Sequence, residues 1–197
     1  MNGPRPRLRP PTEPAPDARV LVLVCHPALH RSRVNRRLAA ALADLPGVTV
    51  HDLYDAWPDF DIGVAHEQRL LLAHAHVVLQ HPFYWYSAPA LLKQWLDLVL
   101  ELGWAYGPGG TALHGKTLTS AITTGGPQAA YRPEGYHHHT IDELLAPFST
   151  TAGLCGMRWR PPHVVHGTHR LLEAEIHAAA AGYRAMIEAL VQGREAA

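Results

Sequence analysis

The chain has 197 residues, which is enough for one domain with a substantial core and too few for two domains of ordinary size. Lys plus Arg (17) equals Asp plus Glu (17), so no net charge favours nucleic acid or an anionic membrane as the main partner. Two cysteines are too few for a disulfide framework, and neither a membrane-spanning apolar run nor a signal peptide is visible. We therefore expect a cytoplasmic protein.

The N-terminal residues 1–18 differ in composition from the rest of the chain. They hold six prolines and three arginines with almost nothing apolar. Such a segment cannot bury enough surface to offset the entropy lost on ordering. We predict a disordered Pro/Arg-rich arm at 1–18 and one folded domain at 19–197.

The first predicted strand, Val20–Val24, is a continuous aliphatic run, which is typical of parallel strands buried on both faces. The loop after it leads into a helix that Ser32 can cap, with Asn35 in the first turn. The hydroxyl of Ser32 and the amide of Asn35 are candidate donors to a phosphate. Because the loop lacks the glycines of nucleotide-triphosphate and dinucleotide motifs, it suits a monophosphate such as that of FMN.

The remaining pattern alternates strands with helical stretches, which predicts a doubly wound α/β fold. The predicted strands lie at 20–24, 48–53, 75–80 and 116–124, with a fifth within 156–166, and the predicted helices at 32–43, 67–74, 89–102, 141–153 and 171–192, with a loop at 54–62.

Loops that follow strands three and four carry the residue types expected around a planar aromatic ligand. Pro82, Phe83, Tyr84, Trp85 and Tyr86 follow strand three, and Thr123, Thr124, Gly125 and Gly126 end strand four. Ligands of open α/β sheets sit beyond the carboxyl ends of the strands, and glycines there allow a ligand close to the backbone. Trp104, in the glycine-rich stretch 103–110, is a candidate ligand contact or a packing residue.

A long loop after residue 126 contains Tyr131 and the run His137-His138-His139. Long ordered loops tend to carry function. Consecutive histidines point in different directions and seldom converge on one ion, so we predict no metal site.

Several motifs spread over residues 20–166 point to one family when taken together. They are His26-Pro27 with Ser32 and Asn35, Tyr54 with Pro58-Asp59-Phe60, Gln80-His81-Pro82 with Tyr86-Ser87, Pro89–Lys93, Gly103–Gly107, Gly109-Gly110 with Leu113 and Gly115-Lys116, and Thr123–Gly126. The set resembles the flavodoxin-fold NAD(P)H:quinone oxidoreductases, most closely the ancillary oxidoreductases of glutathione-regulated potassium-efflux systems.

This resemblance implies a flavodoxin-like three-layer sandwich, with a five-stranded parallel sheet of order 2-1-3-4-5 and helices on both faces. It implies that His26 and Ser32, Arg33, Val34 and Asn35 hold the phosphate, and that the loops at 82–86 and 123–126, with Trp104, edge the flavin. Tyr131 and His137 match the tyrosine and histidine that quinone reductases place beside the flavin, where they would stabilise the charge left by hydride transfer.

We therefore expect an FMN-dependent NAD(P)H:quinone oxidoreductase with ping-pong chemistry, a small quinone-like acceptor and a homodimeric assembly. FAD is less favoured, because the chain lacks the extra length that FAD-binding relatives use. One alternative is a regulatory subunit of a potassium-efflux transporter at the inner membrane face. A one-electron flavodoxin-type carrier is a weaker alternative, because such carriers are usually strongly acidic.

Overall fold

The computed structural model describes residues 19–193, and the predicted disordered arm at 1–18 lies outside these residues. The strands are β1 (Val20–Val24), β2 (Val48–Asp52), β3 (His76–Pro82), β4 (Thr117–Thr123), β5 (Arg158–Trp159) and β6 (His163–Val165). The helices are α1 (Asn35–Ala40), α2 (Leu53–Ala56), α3 (Val64–Leu72), α4 (Ala90–Val99), α5 (Ile141–Leu144), α6 (Ala146–Leu154) and α7 (Glu173–Val191).

The strands form one parallel sheet in the order β2-β1-β3-β4-β5, with β6 also paired to β4. The predicted flavodoxin-like α/β fold and strand order are thereby confirmed. The predicted fifth strand is two short pieces, because Pro161 and Pro162 separate β5 from β6 and proline has no N–H to give to a sheet.

The central strand β1 distributes its side chains between two apolar cores. Leu21 and Leu23 face one cluster with side chains of α3, α4 and α6, whereas Val20, Val22 and Val24 face another with side chains of α1 and α7. This alternation is the period-two geometry of a strand covered on both sides. The apolar run read from the sequence therefore builds the three predicted layers.

The observed helices differ from the predicted ones in several places, and α1 and α3 each have bounds other than the predicted 32–43 and 67–74. The predicted loop at 54–62 contains the short helix α2, whose start is capped by the Asp52 side chain as it accepts hydrogen bonds from the backbone of Tyr54 and Asp55. The predicted helix at 141–153 is divided into α5 and α6, and Pro147 lies in the first turn of α6. The predicted helix at 89–102 ends at Val99. No helix within residues 19–193 is long and apolar enough to cross a membrane.

A fully buried carboxylate, Glu67 of α3, joins several of these elements. One of its oxygens accepts hydrogen bonds at 2.8 Å from the indole of Trp57 and the imidazole of His51, and the other accepts one at 2.8 Å from the indole of Trp95. Burial opposes ionisation, but the hydrogen bonds outweigh it and lower the pKa of Glu67. The carboxylate thereby ties β2 and α4 to α3.

The position of the Trp57 indole depends on the absence of a side chain at Gly63. A Cβ atom added there would lie 2.5 Å from Cη2 of Trp57, so the ring would have to leave its place beside Glu67. We expect Gly63→Ala to lower the free energy of unfolding by about 1–3 kcal/mol, as overpacking does. Urea denaturation would measure the change.

Gly182→Ala is the matched control, because Gly182 lies within α7 with open space around its Cα. Alanine in a helix interior should raise the stability by about 0.5–1 kcal/mol. An unchanged stability of the Gly63→Ala protein would show that the indole does not require this glycine.

Candidate functional site

A cavity of about 700 Å³ lies at the carboxyl ends of β1, β3 and β4, where the loops after these strands meet. Its volume is typical of small-molecule sites. The residues that line it are His26, Ala28, Arg31, Ser32, Arg33, Val34, Asn35, Pro82, Phe83, Tyr84, Trp85, Thr123, Gly125, Thr168 and His169. We call it the phosphate-side cavity because its described lining contains two arginines and no carboxylate.

Asn35 fastens the loop after β1 to the neighbouring strands. Its side-chain amide donates to Oγ1 of Thr123 at 2.8 Å, and its backbone carbonyl accepts from Nε2 of Gln80 at 2.9 Å. The amide is therefore held inside the protein, unlike the free phosphate donor that we expect from the sequence. Its Oδ1 atom is buried without a partner among the described residues.

Ser32 precedes α1, and its Oγ accepts the backbone N–H of Asn35 at 3.1 Å. The predicted capping contact is present, although the helix itself begins at Asn35. The hydroxyl proton of Ser32 remains available to donate to an acceptor in the cavity.

Two other polar groups at this rim are held by the protein. The guanidinium of Arg33 donates to the backbone oxygen of Leu171 and to Glu173, both at 3.0 Å. His26 accepts the backbone N–H of Ala28 on its Nδ1 at 3.0 Å, and burial lowers the pKa of this imidazole. The neutral form of His26 is therefore favoured, with Nε2 carrying its proton.

The aromatic loop after β3 has unusual backbone geometry. Trp85 and Tyr86 have φ angles of 51° and 61°, in the left-handed region that bulky residues rarely adopt. The Trp85 side chain is 92% exposed. Strained backbone and exposed aromatic rings at the end of a strand are features of a ligand-binding loop.

A second cavity of about 480 Å³ adjoins the first and shares Phe83 and Trp85 with it. We call it the aromatic cavity. Its other lining residues are Tyr86, Gly126, Pro127, Ala130, Tyr131, Tyr136 and His137.

Tyr131 and His137 stand together in this aromatic cavity. Their ring centroids are 4.6 Å apart, and Nδ1 of His137 lies 3.3 Å from the hydroxyl of Tyr86. A Cβ atom at Gly126 would lie 3.3 Å from both rings, so glycine permits their close approach to the backbone. Burial raises the pKa of Tyr131, which keeps the phenol protonated.

The loop after β6 also enters the site, although we did not predict this from the sequence. Thr168 and His169 line the phosphate-side cavity, and Nδ1 of His166 lies 3.1 Å from Oγ1 of Thr124. The ring centroid of His166 is 5.5 Å from that of Tyr131, and burial lowers the pKa of His166. The rule that parallel strands end at one edge of the sheet would have identified this loop if β6 had been located.

The structure brings together all but two of the predicted cofactor-binding and catalytic residues as cavity lining. Thr124 lies behind the lining, where its hydroxyl donates to the backbone oxygen of Gly126 at 2.9 Å. Trp104 lines neither cavity and packs against the core that contains Leu21 and Leu23. Of the two roles considered for Trp104, ligand contact and packing, it has the packing role within this chain.

The sequence matches the family profile for a flavodoxin-like fold over residues 18–187. The chain belongs to this family. It is 50% identical over 153 residues to the glutathione-regulated potassium-efflux system ancillary protein KefG of Pectobacterium carotovorum, covering 78% of this chain and 84% of that protein.

Two solved structures of flavodoxin-like proteins are similar to the chain. The general stress protein 14 of Treponema denticola, in complex with FMN, is 39% identical with a TM-score of 0.84, covering 87% of this chain and 99% of that one. The NADPH-quinone reductase of P. pentosaceus is 35% identical with a TM-score of 0.79, covering 86% and 97%. The resemblance to quinone oxidoreductases and to potassium-efflux ancillary proteins is thereby confirmed.

Proposed function

We propose that the protein is an FMN-dependent NAD(P)H:quinone oxidoreductase that acts by ping-pong two-electron transfer. The observation that carries the proposal is the pair of adjoining cavities, one with arginines and a hydroxyl and the other with aromatic rings and two polar catalytic candidates. The names of the NADPH-quinone reductase and of the FMN-bound relative support the same reading. We propose a cytoplasmic location as well.

The residues of the phosphate-side cavity fit FMN. Arg31, Arg33 and the Ser32 hydroxyl could hold a phosphate, and Tyr84 and Trp85 offer aromatic faces. Among the described residues, the cavity lining contains no glycine-rich nucleotide loop of the kind that holds a diphosphate, which favours FMN over FAD. Bound FMN would supply the redox chemistry by accepting a hydride from NAD(P)H and passing two electrons to a quinone.

The chain's own part in the reaction is to orient ligands and to balance charge. Tyr131 keeps its proton, and Tyr131 and His137 both line the cavity in which the substrates would bind. Hydrogen bonds from these groups would strengthen as negative charge develops during reduction. Because one aromatic cavity would serve both substrates, the nicotinamide must leave before a quinone enters.

Flavin binding is the first test of this proposal. The full-length protein, mixed with FMN, should bind one flavin per chain and lose its flavin absorbance with NADPH or NADH, then recover it with a quinone. Failure to bind FMN by calorimetry would contradict the proposal.

A substitution that places a negative charge at position 35 tests where the flavin phosphate binds. Asn35→Asp should lower FMN affinity at least about 10-fold, or 1.4 kcal/mol, because a carboxylate at the cavity would repel phosphate. The Thr123 hydroxyl can turn to donate to the new carboxylate, so the fold should survive. Gln192→Glu, at the far end of α7, adds the same charge as a control and should leave the affinity unchanged.

The roles of Tyr131 and His137 are tested by rapid kinetics. Tyr131→Phe and His137→Gln should each slow reduction by NADPH on the order of 10²-fold with FMN bound about as tightly, because the donors act on developing charge. Stopped-flow absorbance would measure the rates. His114→Gln, an exposed histidine outside both cavities, should reduce at the wild-type rate. Wild-type rates in both cavity variants would make the loop after residue 126 a lid or a partner surface.

We further propose a homodimer, because aromatic side chains remain uncovered beside the two cavities. Trp85 is 92% exposed, Tyr84 is 43% exposed and Tyr86 is 46% exposed. A second copy would cover these rings and enclose the site. Analytical ultracentrifugation at micromolar concentration should give a dimer, and Trp85→Ser should shift the equilibrium toward monomer. A wild-type monomer at that concentration would contradict the proposal.

A second candidate function is regulation of a potassium-efflux transporter. The 50% identity to a potassium-efflux ancillary protein favours it. Variants of Tyr131 and His137 would separate the two functions. If transport activation in cells persists when flavin reduction is lost, enzymatic turnover is not required for regulation.

A further inference from the structure

Three potential metal ligands converge on the face of the sheet covered by α3 and α4. His51 lies on β2, and His66 and Glu67 lie in α3. One ligand atom from each of the three side chains lies within 4.8 Å of those of the other two. None of these residues lines the phosphate-side or the aromatic cavity.

The carboxylate in this cluster is held in a fixed orientation. The Trp95 indole donates to one oxygen and the Trp57 indole to the other, each at 2.8 Å. Hydrogen bonds from outside the ligand set fix the orientation of metal-binding side chains in the same way. These indoles are neutral, so they satisfy the oxygens of the buried carboxylate without cancelling its charge.

We infer that His51, His66 and Glu67 form a binding site for a divalent transition-metal ion of the zinc type. Two imidazoles with one carboxylate suit Zn²⁺, whereas Ca²⁺ and Mg²⁺ prefer oxygen ligands throughout. The ion would replace the contact of 2.8 Å between Nε2 of His51 and Oε1 of Glu67. The fourth position would be filled by water.

The remaining adjustment falls on His66, the exposed ligand. Zinc bonds to nitrogen and oxygen of about 2.0–2.2 Å require ligand atoms closer together than 4.8 Å. His66 is exposed, so its ring can turn toward the other two side chains without disturbing the core. Exposure on this side also gives the ion a path of entry.

Such an ion would fasten β2 to α3, because its ligands come from both elements. Its effect would be on stability, since anything that binds only the folded state raises the unfolding temperature. The inference is independent of the proposed flavin chemistry, which belongs to other residues.

Calorimetry with ZnCl₂ on the full-length, tag-free protein, first treated with a chelator, tests the site. We expect one zinc ion per chain and a rise in the unfolding temperature. X-ray absorption at the zinc edge should show two imidazole ligands with additional oxygen ligands.

His66→Gln identifies the site and should leave the fold intact, because His66 is exposed. We expect this variant to weaken zinc binding by at least roughly 10–100-fold. Loss of a residue that only hydrogen-bonds to a metal ligand already costs that much affinity. The variant should also abolish the rise in unfolding temperature, with FMN binding unchanged. His114→Gln and His138→Gln remove other exposed histidines and should bind zinc like the wild type.

Two results would overturn the inference. Zinc binding that His66→Gln leaves unchanged would mean that other histidines bind the ion. An absence of binding at micromolar zinc would mean that the cluster only anchors Glu67 by hydrogen bonds.

Discussion

A buried chain of hydrogen bonds from Gln80 through Asn35 to Thr123 fixes the edge of the sheet on which the site depends. Gln80 and Thr123 lie on neighbouring strands, and Asn35 begins the helix after β1. Each bond lies where water cannot compete, so losing one partner would leave a buried polar group unsatisfied. The loop after β1 therefore keeps a constant position relative to the ends of β3 and β4. The phosphate-side cavity is lined by residues of all three segments, so its shape depends on their relative positions.

The loops beyond this edge are built differently, since they combine close contact with exposure. Gly126 leaves room for the rings of Tyr131 and His137, both of which would lie only 3.3 Å from a Cβ atom at this position. On the opposite side, Trp85 and Tyr86 hold a left-handed backbone conformation that costs free energy. A sheet edge that carries strained, partly exposed rings is suited to hold a ligand, because the exposed ring of Trp85 would gain contacts when one is bound.

The parts of the fold that follow from apolar periodicity could be predicted from the sequence, and the parts that depend on single side chains could not. The run Val20–Val24 gives the central strand and both cores, and the strand order agrees with the resemblance. The division of the fifth strand at Pro161 was missed because a two-residue strand has too few side chains to show alternation. Because β6 was not predicted as a separate strand, Thr168 and His169, which follow it, were not predicted to line the site. His51 and Glu67 meet only through the packing of β2 against α3, so a search for metal motifs among consecutive histidines could not reveal their cluster.

The chain has equal numbers of basic and acidic residues, but the described lining of the phosphate-side cavity contains arginines and no carboxylate. This local excess of positive charge bears on ligand binding. Arg33 and Arg37 share the carboxylate of Glu173, which links the loop after β1 to the start of α7. These pairs are exposed, so each contributes little to stability and can be exchanged at low cost. An anion in the phosphate-side cavity could thus draw Arg33 from Glu173 without a large penalty, while Arg37 would keep that carboxylate paired. The arrangement keeps Arg33 beside the cavity and paired with Glu173 until a ligand arrives.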